Sequence, residues 1–476
     1  MITAVKPVRL INIQVHKFVR LFVIIGCAFA ILTANPIESI AALLMLLILI
    51  KLFYRATHPP VLLFGLLMQW VSITIKVFYG NFLGIDFTEV FSYYTSGQHM
   101  HQAYYLSLTG LLVFSTGLWW VFKKIRLSEP EETDQVFANY NLRNLIIFFI
   151  LFAVIVDVAS ALRYVYPGLM QGITTLGRFK WGFFFMLFYL SHKQNRFRNV
   201  IYLIIAFEFL KGFTGYFAGF KEILFLTLIG VVAIHVQWKA KTIFWAAAMG
   251  GVTIFVFLTW SAIKGEYRMF VSGGERVQVV RVSDAEALNK IWELANNLDA
   301  QNYENIIEPM IDRIGYIDFF SVALGYVPTE QSHEDGQIWW NAISHMFKPR
   351  LLFPNKPILD ESAHTNKYTG LYLANLQQGT SHSLGYIADS YVDFGTYLMF
   401  IPLFLFGIFF GLIYRNLFTR SYNIFWGTIL IIPFYELTNI NGMSAIKAFN
   451  FVIMYFIVVW IFRKFILRKL DGFLTK

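Results

Sequence analysis

Thr396–Phe418 reads TYLMFIPLFLFGIFFGLIYRNLF. Its 23 residues hold one charged side chain, Arg415, near one end. At about 1.5 Å per residue, such a run crosses a hydrocarbon core of about 30 Å as an α-helix. The whole chain has this character. Of 476 residues, 57% are hydrophobic, 18% aromatic and 14% charged, whereas soluble chains carry about 25% charged residues. Mean hydropathy is +0.56. Fifty Phe, 25 Tyr and 12 Trp exceed what water-soluble domains of this length can hide. Disorder, collagen-like structure and nucleic-acid binding are excluded, the last despite a pI near 9.3. The expected class is an all-α polytopic membrane protein.

Twelve spans are expected along the chain: Phe18–Ala34, Ile37–Tyr54, Pro60–Gly80, Gln102–Phe122, Asn144–Tyr164, Leu176–Ser191, Asn199–Phe213, Glu222–Trp238, Thr242–Lys264, Thr396–Phe418, Tyr422–Leu437 and Ala448–Ile466. Loop charges test the count. With the N-terminus in the cytoplasm, inside segments hold Lys6, Arg9, Lys17, Arg20, Lys51, Arg55, Lys123, Lys124, Arg126, Arg143, Lys193, Arg196, Arg198, Lys239, Lys241, Arg415, Arg420, Arg463, Lys464, Arg468, Lys469 and Lys476. The short outside loops are nearly free of Lys and Arg, with Arg163, Arg178, Lys221 and Lys447 at their edges. This positive-inside pattern places both termini in the cytoplasm. The layout is then residues 1–263 with nine spans, 264–395 as one large extracytoplasmic loop, and 396–476 with three spans and a basic tail.

The net charge of +10 follows from this layout. Lys264–Gly395 holds 10 Lys/Arg against 17 Asp/Glu, a balance of −7, which leaves +17 for the rest. Basicity therefore reports membrane orientation, not an acidic partner. The single cysteine, Cys27, excludes an intramolecular disulfide and a cysteine-based metal cluster. Ile24–Cys27 resembles a lipoprotein cleavage box and Ala28–Ala30 a signal-peptidase site. The uncleaved reading keeps the charge alternation intact and is preferred.

The 264–395 loop has structure of its own. Ser283-Asp284-Ala285-Glu286 reads as a capping box opening a helix through about Asn297. Across Tyr303–Val327, apolar residues at Ile306, Ile307, Met310, Ile311, Ile314, Ile317 and Phe320 predict an amphipathic helix. Ile338–Phe347, with Trp339 and Trp340, reads as a short interfacial helix. Three prolines between Phe347 and Pro357 forbid a regular helix there. The loop is expected to fold back over the outer ends of the spans, as a structural cap or as a cover over an active site.

Three motifs fall on that outer face. Arg350-Leu-Leu-Phe353-Pro354-Asn-Lys356-Pro357 is the first, Gly385-Tyr-Ile-Ala-Asp389-Ser-Tyr391-Val-Asp393-Phe394-Gly395 the second, and Gly215-x-x-x-Gly219-Phe220-Lys221 the third. Their order and spacing resemble the bacterial repeat-unit polysaccharide polymerases, the O-antigen (Wzy-type) polymerases. Asp389 stands where those enzymes commonly carry Glu, and Lys221 where they carry Arg. The resemblance implies a fold like the membrane-embedded (GT-C-like), metal-independent glycosyltransferases. It implies polymerisation of undecaprenyl-diphosphate-linked oligosaccharides, with no cofactor, at the outer face of the bacterial inner membrane. Membrane lipids and a chain-length regulator are the further partners that it implies.

A lipid diphosphate calls for cations, and Arg binds it through two parallel hydrogen bonds. The candidates, in order, are Arg350, Arg313, Lys356 and Lys221; Arg276 and Arg281 lie just before the loop helices. Glycosyl transfer also needs a base for the acceptor hydroxyl. The catalytic candidates are Asp389, His382 and Asp393, with Glu330 and His364 behind them. Asp389 lies one helical turn before Asp393, and either also fits a helix N-cap. No H-E-x-x-H, D-x-D, P-loop or G-x-S-x-G motif occurs.

Two competing classes remain. Asp157, Arg163, Glu208 and Lys211 are polar groups within spans, and such groups also line transport paths. They support a flippase or exporter of lipid-linked glycans. The simpler expectation is that Glu208 and Lys211, three apart, neutralise each other. Against transport, the two halves show no internal repeat. A membrane O-acyltransferase needs a mid-span histidine, and His235 alone approaches that position.

Overall fold

The structure, a computed structural model, describes residues 8–55, 58–126, 130–162, 170–216, 219–234, 240–275, 279–348, 353, 359–374, 381–438 and 442–475. Among these it is all-helical. The first half holds α1 (Val8–Ala30), α2 (Pro36–Phe53), α3 (Val61–Leu83), α4 (Met100–Phe122), α5 (Pro130–Ala138), α6 (Leu142–Leu162), α7 (Met170–Gln194), α8 (Arg198–Lys211), α9 (Phe220–Ala233) and α10 (Ala240–Val271). The long loop contains α11 (Asp284–Asn296), α12 (Ala300–Ile314), α13 (Ile317–Tyr326), α14 (Gln337–Met346) and α15 (Glu361–Thr369). The chain ends with α16 (Tyr386–Leu398), α17 (Phe400–Thr419), α18 (Ile424–Ile431), α19 (Phe434–Thr438), α20 (Ala445–Phe465) and α21 (Leu467–Leu474).

Six described helices are long and apolar enough to cross a membrane: α2, α3, α4, α6, α17 and α20. They match the second, third, fourth, fifth, tenth and twelfth expected spans to within a few residues. The other expected spans are also helical, but α8 and α9 have only 14 residues each. The eleventh is interrupted near Pro433, where α18 gives way to α19. A proline lacks the N–H that the ladder needs.

Helices α4 and α17 pack extensively against each other. A Cβ on Gly407 would collide with the Phe114 carbonyl oxygen, and one on Gly117 with that of Phe404. The Gly407-x-x-x-Gly411 spacing thus lets two backbones touch, where apolar helices gain from packing rather than from leaving water.

Lys76, near the C-terminal end of α3, fixes the long loop to the bundle. Its ammonium is fully buried and lies 3.0 Å from Asp312 of α12 and 2.7 Å from Asp318 of α13. It also donates to the Phe91 carbonyl at 3.3 Å. Nearby, Tyr316 N–H donates to the Ser72 carbonyl at 3.2 Å, and Tyr386 O–H to Gln69 Oε1 at 2.8 Å. The loop is therefore packed onto the bundle, as expected. At the opposite end, Asp471 of α21 accepts from the Trp426 indole at 2.6 Å and the Tyr140 hydroxyl at 2.5 Å.

Three expectations need correction or placing. The capping box at Ser283 and Glu286 is present. The helix expected over Tyr303–Val327 is two helices, because the backbone is extended at Gly315 and Tyr316 bonds to α3 instead. Glu208 and Lys211 do not pair with each other. Glu208 takes Lys180 of α7 at 2.8 Å, and Lys211 takes Asp157 of α6. Each finds a carboxylate or ammonium on a neighbouring helix with better geometry than three residues along its own. Arg163, His235, Arg276, Arg350 and Lys356 lie outside the described residues.

Candidate functional site

Three helix starts converge at the end of the bundle that carries the loop. Helix α15 begins after Asp360, whose carboxylate accepts the Ala363 N–H at 3.1 Å. Helix α16 begins after Gly385, which holds a left-handed φ of 92° that suits glycine. Helix α20 begins after Ser444. The first turn of a helix leaves backbone N–H groups without partners. Here side chains of α15 and α16 supply them. Asp389 Oδ2 accepts the Ala445 N–H at 2.8 Å. Glu361 accepts the Ser444 hydroxyl, and its other oxygen accepts the Ser444 N–H at 3.3 Å.

The second oxygen of Asp389 faces His364, one turn into α15. His364 Nε2 lies 2.8 Å from Asp389 Oδ1. Asp389 is wholly buried, whereas the His364 side chain is 22% exposed. The carboxylate can only accept, so Nε2 carries the proton and Nδ1 is left as the basic nitrogen. Nδ1 has no partner among the described residues. Burial alone would lower the imidazole pKa. The Asp389 carboxylate outweighs it through charge and hydrogen bond and, with Glu361, lifts the group above its ordinary 6.5.

His382 lies beside this pair. Its N–H donates to Ser362 Oγ at 3.0 Å, and its carbonyl accepts from Thr365 Oγ1 at 2.9 Å, so α15 pins it on both sides. Its ring meets Tyr94 and Phe319 edge-on at 6.1 and 6.0 Å. Burial and the nearby Arg313 charge hold it below its ordinary value. Arg313, exposed in the last turn of α12, also exerts its charge on Lys221. The structure thus brings His364, Asp389, His382 and Arg313 into one region, with Lys221 within reach of the Arg313 charge.

Asp393 faces elsewhere. Its two oxygens accept the N–H groups of Ile338 and Trp339 at 3.0 and 2.8 Å. It caps α14, a helix other than its own, as the capping alternative allows. Burial raises its carboxyl above the ordinary value, as do Asp389 and Glu334, against the two N–H donors. Glu330 is exposed beyond α13. Glu361 was not singled out in the sequence, because nothing there ties it to Ser444, 83 residues away.

Among the described residues, fold and site together define an all-helical protein with six helices fit to cross a membrane and a carboxylate–imidazole pair where its loop meets the bundle. The chain belongs to the family described as Domain of unknown function (DUF8712), which residues 58–470 match. No curated protein and no solved structure matches it.

Proposed function

We propose that the chain is a polymerase of undecaprenyl-diphosphate-linked oligosaccharide repeat units for O-antigen, capsule or exopolysaccharide. It acts as a metal-independent membrane glycosyltransferase at the outer face of the inner membrane. In this reading twelve spans cross that membrane, both termini are cytoplasmic, and the fold is GT-C-like. The observation that carries it is the His364–Asp389 pair, a base at a surface rim with a buried carboxylate behind it.

His364 Nδ1 takes the proton of the acceptor hydroxyl as that oxygen bonds to the donor's anomeric carbon. The bond from that carbon to the diphosphate oxygen breaks, and undecaprenyl diphosphate leaves. The proton stays on His364, where Asp389 stabilises the imidazolium. Asp389 is therefore a positioning residue, since both its oxygens are occupied. Arg350, Arg313, Lys356 and Lys221 neutralise the departing diphosphate, and His382 lines the acceptor side. Flippase activity is the lesser reading, because Lys180 with Glu208, and Lys211 with Asp157, are matched pairs.

Cells lacking the chain test it. Single repeat units on the finished glycan support the polymerase. Precursor trapped on the cytoplasmic face with no surface glycan replaces it with the flippase.

A further inference from the structure

Away from the dyad, α7, α8 and α9 line an open pocket of about 190 Å³. A single water needs only about 10–15 Å³. Lys180 and Trp181 reach it from α7, Glu208 and Lys211 from α8, Glu222 from α9, and Gly219 contributes backbone. The other lining residues are glycines, so among the described residues no aliphatic side chain faces it. Polar walls of this kind between apolar helices call for water or a polar ligand.

The charges narrow the choice. Lys180 is already matched with Glu208 at 2.8 Å and lies 4.4 Å from the Trp181 ring centre. Lys211 is matched with Asp157. Glu222 adds a further carboxyl group, which accepts from the Trp181 indole. A phosphate or diphosphate would find no unmatched lysine among the lining residues. A neutral polyhydroxylated ring suits the walls. Its hydroxyls donate to Glu222 and Glu208 and accept from the lysines. Its C–H groups pack on an indole, and bare glycine backbone permits close approach.

We propose that this cavity is a binding subsite for a neutral hexopyranose unit. It deepens the reading above by giving the glycan, rather than its diphosphate, a place, and rests on that reading for the source of the sugar. Gly219 offers a clean block. Its φ is −88°, and a Cβ there would meet only the Gly212 Cα at 3.9 Å. Gly219→Leu therefore fills the cavity without straining the backbone.

The experiment uses the full chain in detergent micelles and saturation-transfer NMR with the methyl glycosides of glucose, galactose, mannose and rhamnose. At least one should receive saturation from the wild-type chain. Gly219→Leu should abolish the transfer at an unchanged melting temperature. Glu222→Ala should weaken binding up to about tenfold, the loss of one hydrogen bond. No transfer to any glycoside, transfer that survives Gly219→Leu, or displacement by pyrophosphate or sodium ions would each overturn the proposal. Displacement by lipid-linked repeat units would name the lipid-borne glycan as the source. Its absence, with glycoside binding retained, would name a free sugar, and both support a sugar site. Failed sugar binding with His364-dependent polymer formation intact sinks the subsite alone. Sugar binding without polymer formation sinks the polymerase reading alone.

Discussion

His364 Nε2 and Asp389 Oδ1 are 2.8 Å apart, and Asp389 Oδ2 is held at 2.8 Å by the Ala445 N–H. The carboxylate is thus fixed from both sides and cannot swing towards a substrate. Base and carboxylate have separable parts, and substitutions should separate them. His364→Gln should reduce polymer formation by roughly 10²–10⁴-fold, the usual worth of a general base. Asp389→Asn keeps an oxygen for the Ala445 N–H and should fold, yet lose much of the rate because His364 is no longer oriented. Polymer ladders from purified protein and lipid-linked repeat units measure both. Full ladders from His364→Gln would remove it as the base.

The acid limb of the rate profile carries a second prediction. A base works only when unprotonated, so activity should fall as pH drops through the His364 pKa. That limb should lie above the ordinary 6.5, because Asp389 and Glu361 favour the imidazolium. In Asp389→Asn the limb should move to lower pH. A limb unmoved by this change would break the link between the two groups.

Asp393 should behave as a structural residue. Asp393→Ala leaves the buried N–H groups of Ile338 and Trp339 without acceptors. The expected loss is about 1–3 kcal/mol for each, read as a lower melting temperature. Asp393→Asn still accepts one of them and should lose about half as much. Activity per folded molecule should stay near wild type in both.

Lys76 holds two carboxylates, and removing it strands both. Lys76→Met should cost about 3–5 kcal/mol, seen as poor yield or early melting. Asp318 is the surplus partner, and burial pushes its carboxyl up to about 7. A carboxyl raised on folding adds stability at low pH that is lost as pH climbs through the raised value. Asp318→Asn should therefore flatten that decline and melt higher than the wild type above about pH 7.

Topology is tested directly. In a Cys27→Ala background, a cysteine at Ser332 should react with an impermeant thiol reagent applied from outside, and one at Ser128 should not. Labelling of the Ser332 probe only after the inner membrane is permeabilised would end the outer-face reading.

Much of this architecture was legible in the sequence. Apolar runs located the helices, since burial in any apolar medium needs the same uninterrupted stretch. The Ser283 box marked a helix start because all its partners are local. Contacts across the chain were not legible. Lys76 reaches Asp312 over 236 residues, and periodicity carries no trace of that. His364 was recognisable as a base by residue type. Its pairing with Asp389 depends on how α15 and α16 pack, which spacing alone does not fix. Glu208 and Lys211 misled for the same reason: a local pair was visible, and the better partners lay on other helices.

The two carboxylates that cap α20 also decide what can move. Lifting α15 and the start of α16 would strand the Ser444 and Ala445 N–H groups in an apolar surround. This part of the loop is therefore mechanically continuous with the last long helix, and the two should lose hydrogen-exchange protection together. Under the proposed function, a lipid-borne chain would meet His364 at this fixed rim, and not through a door that opens from above.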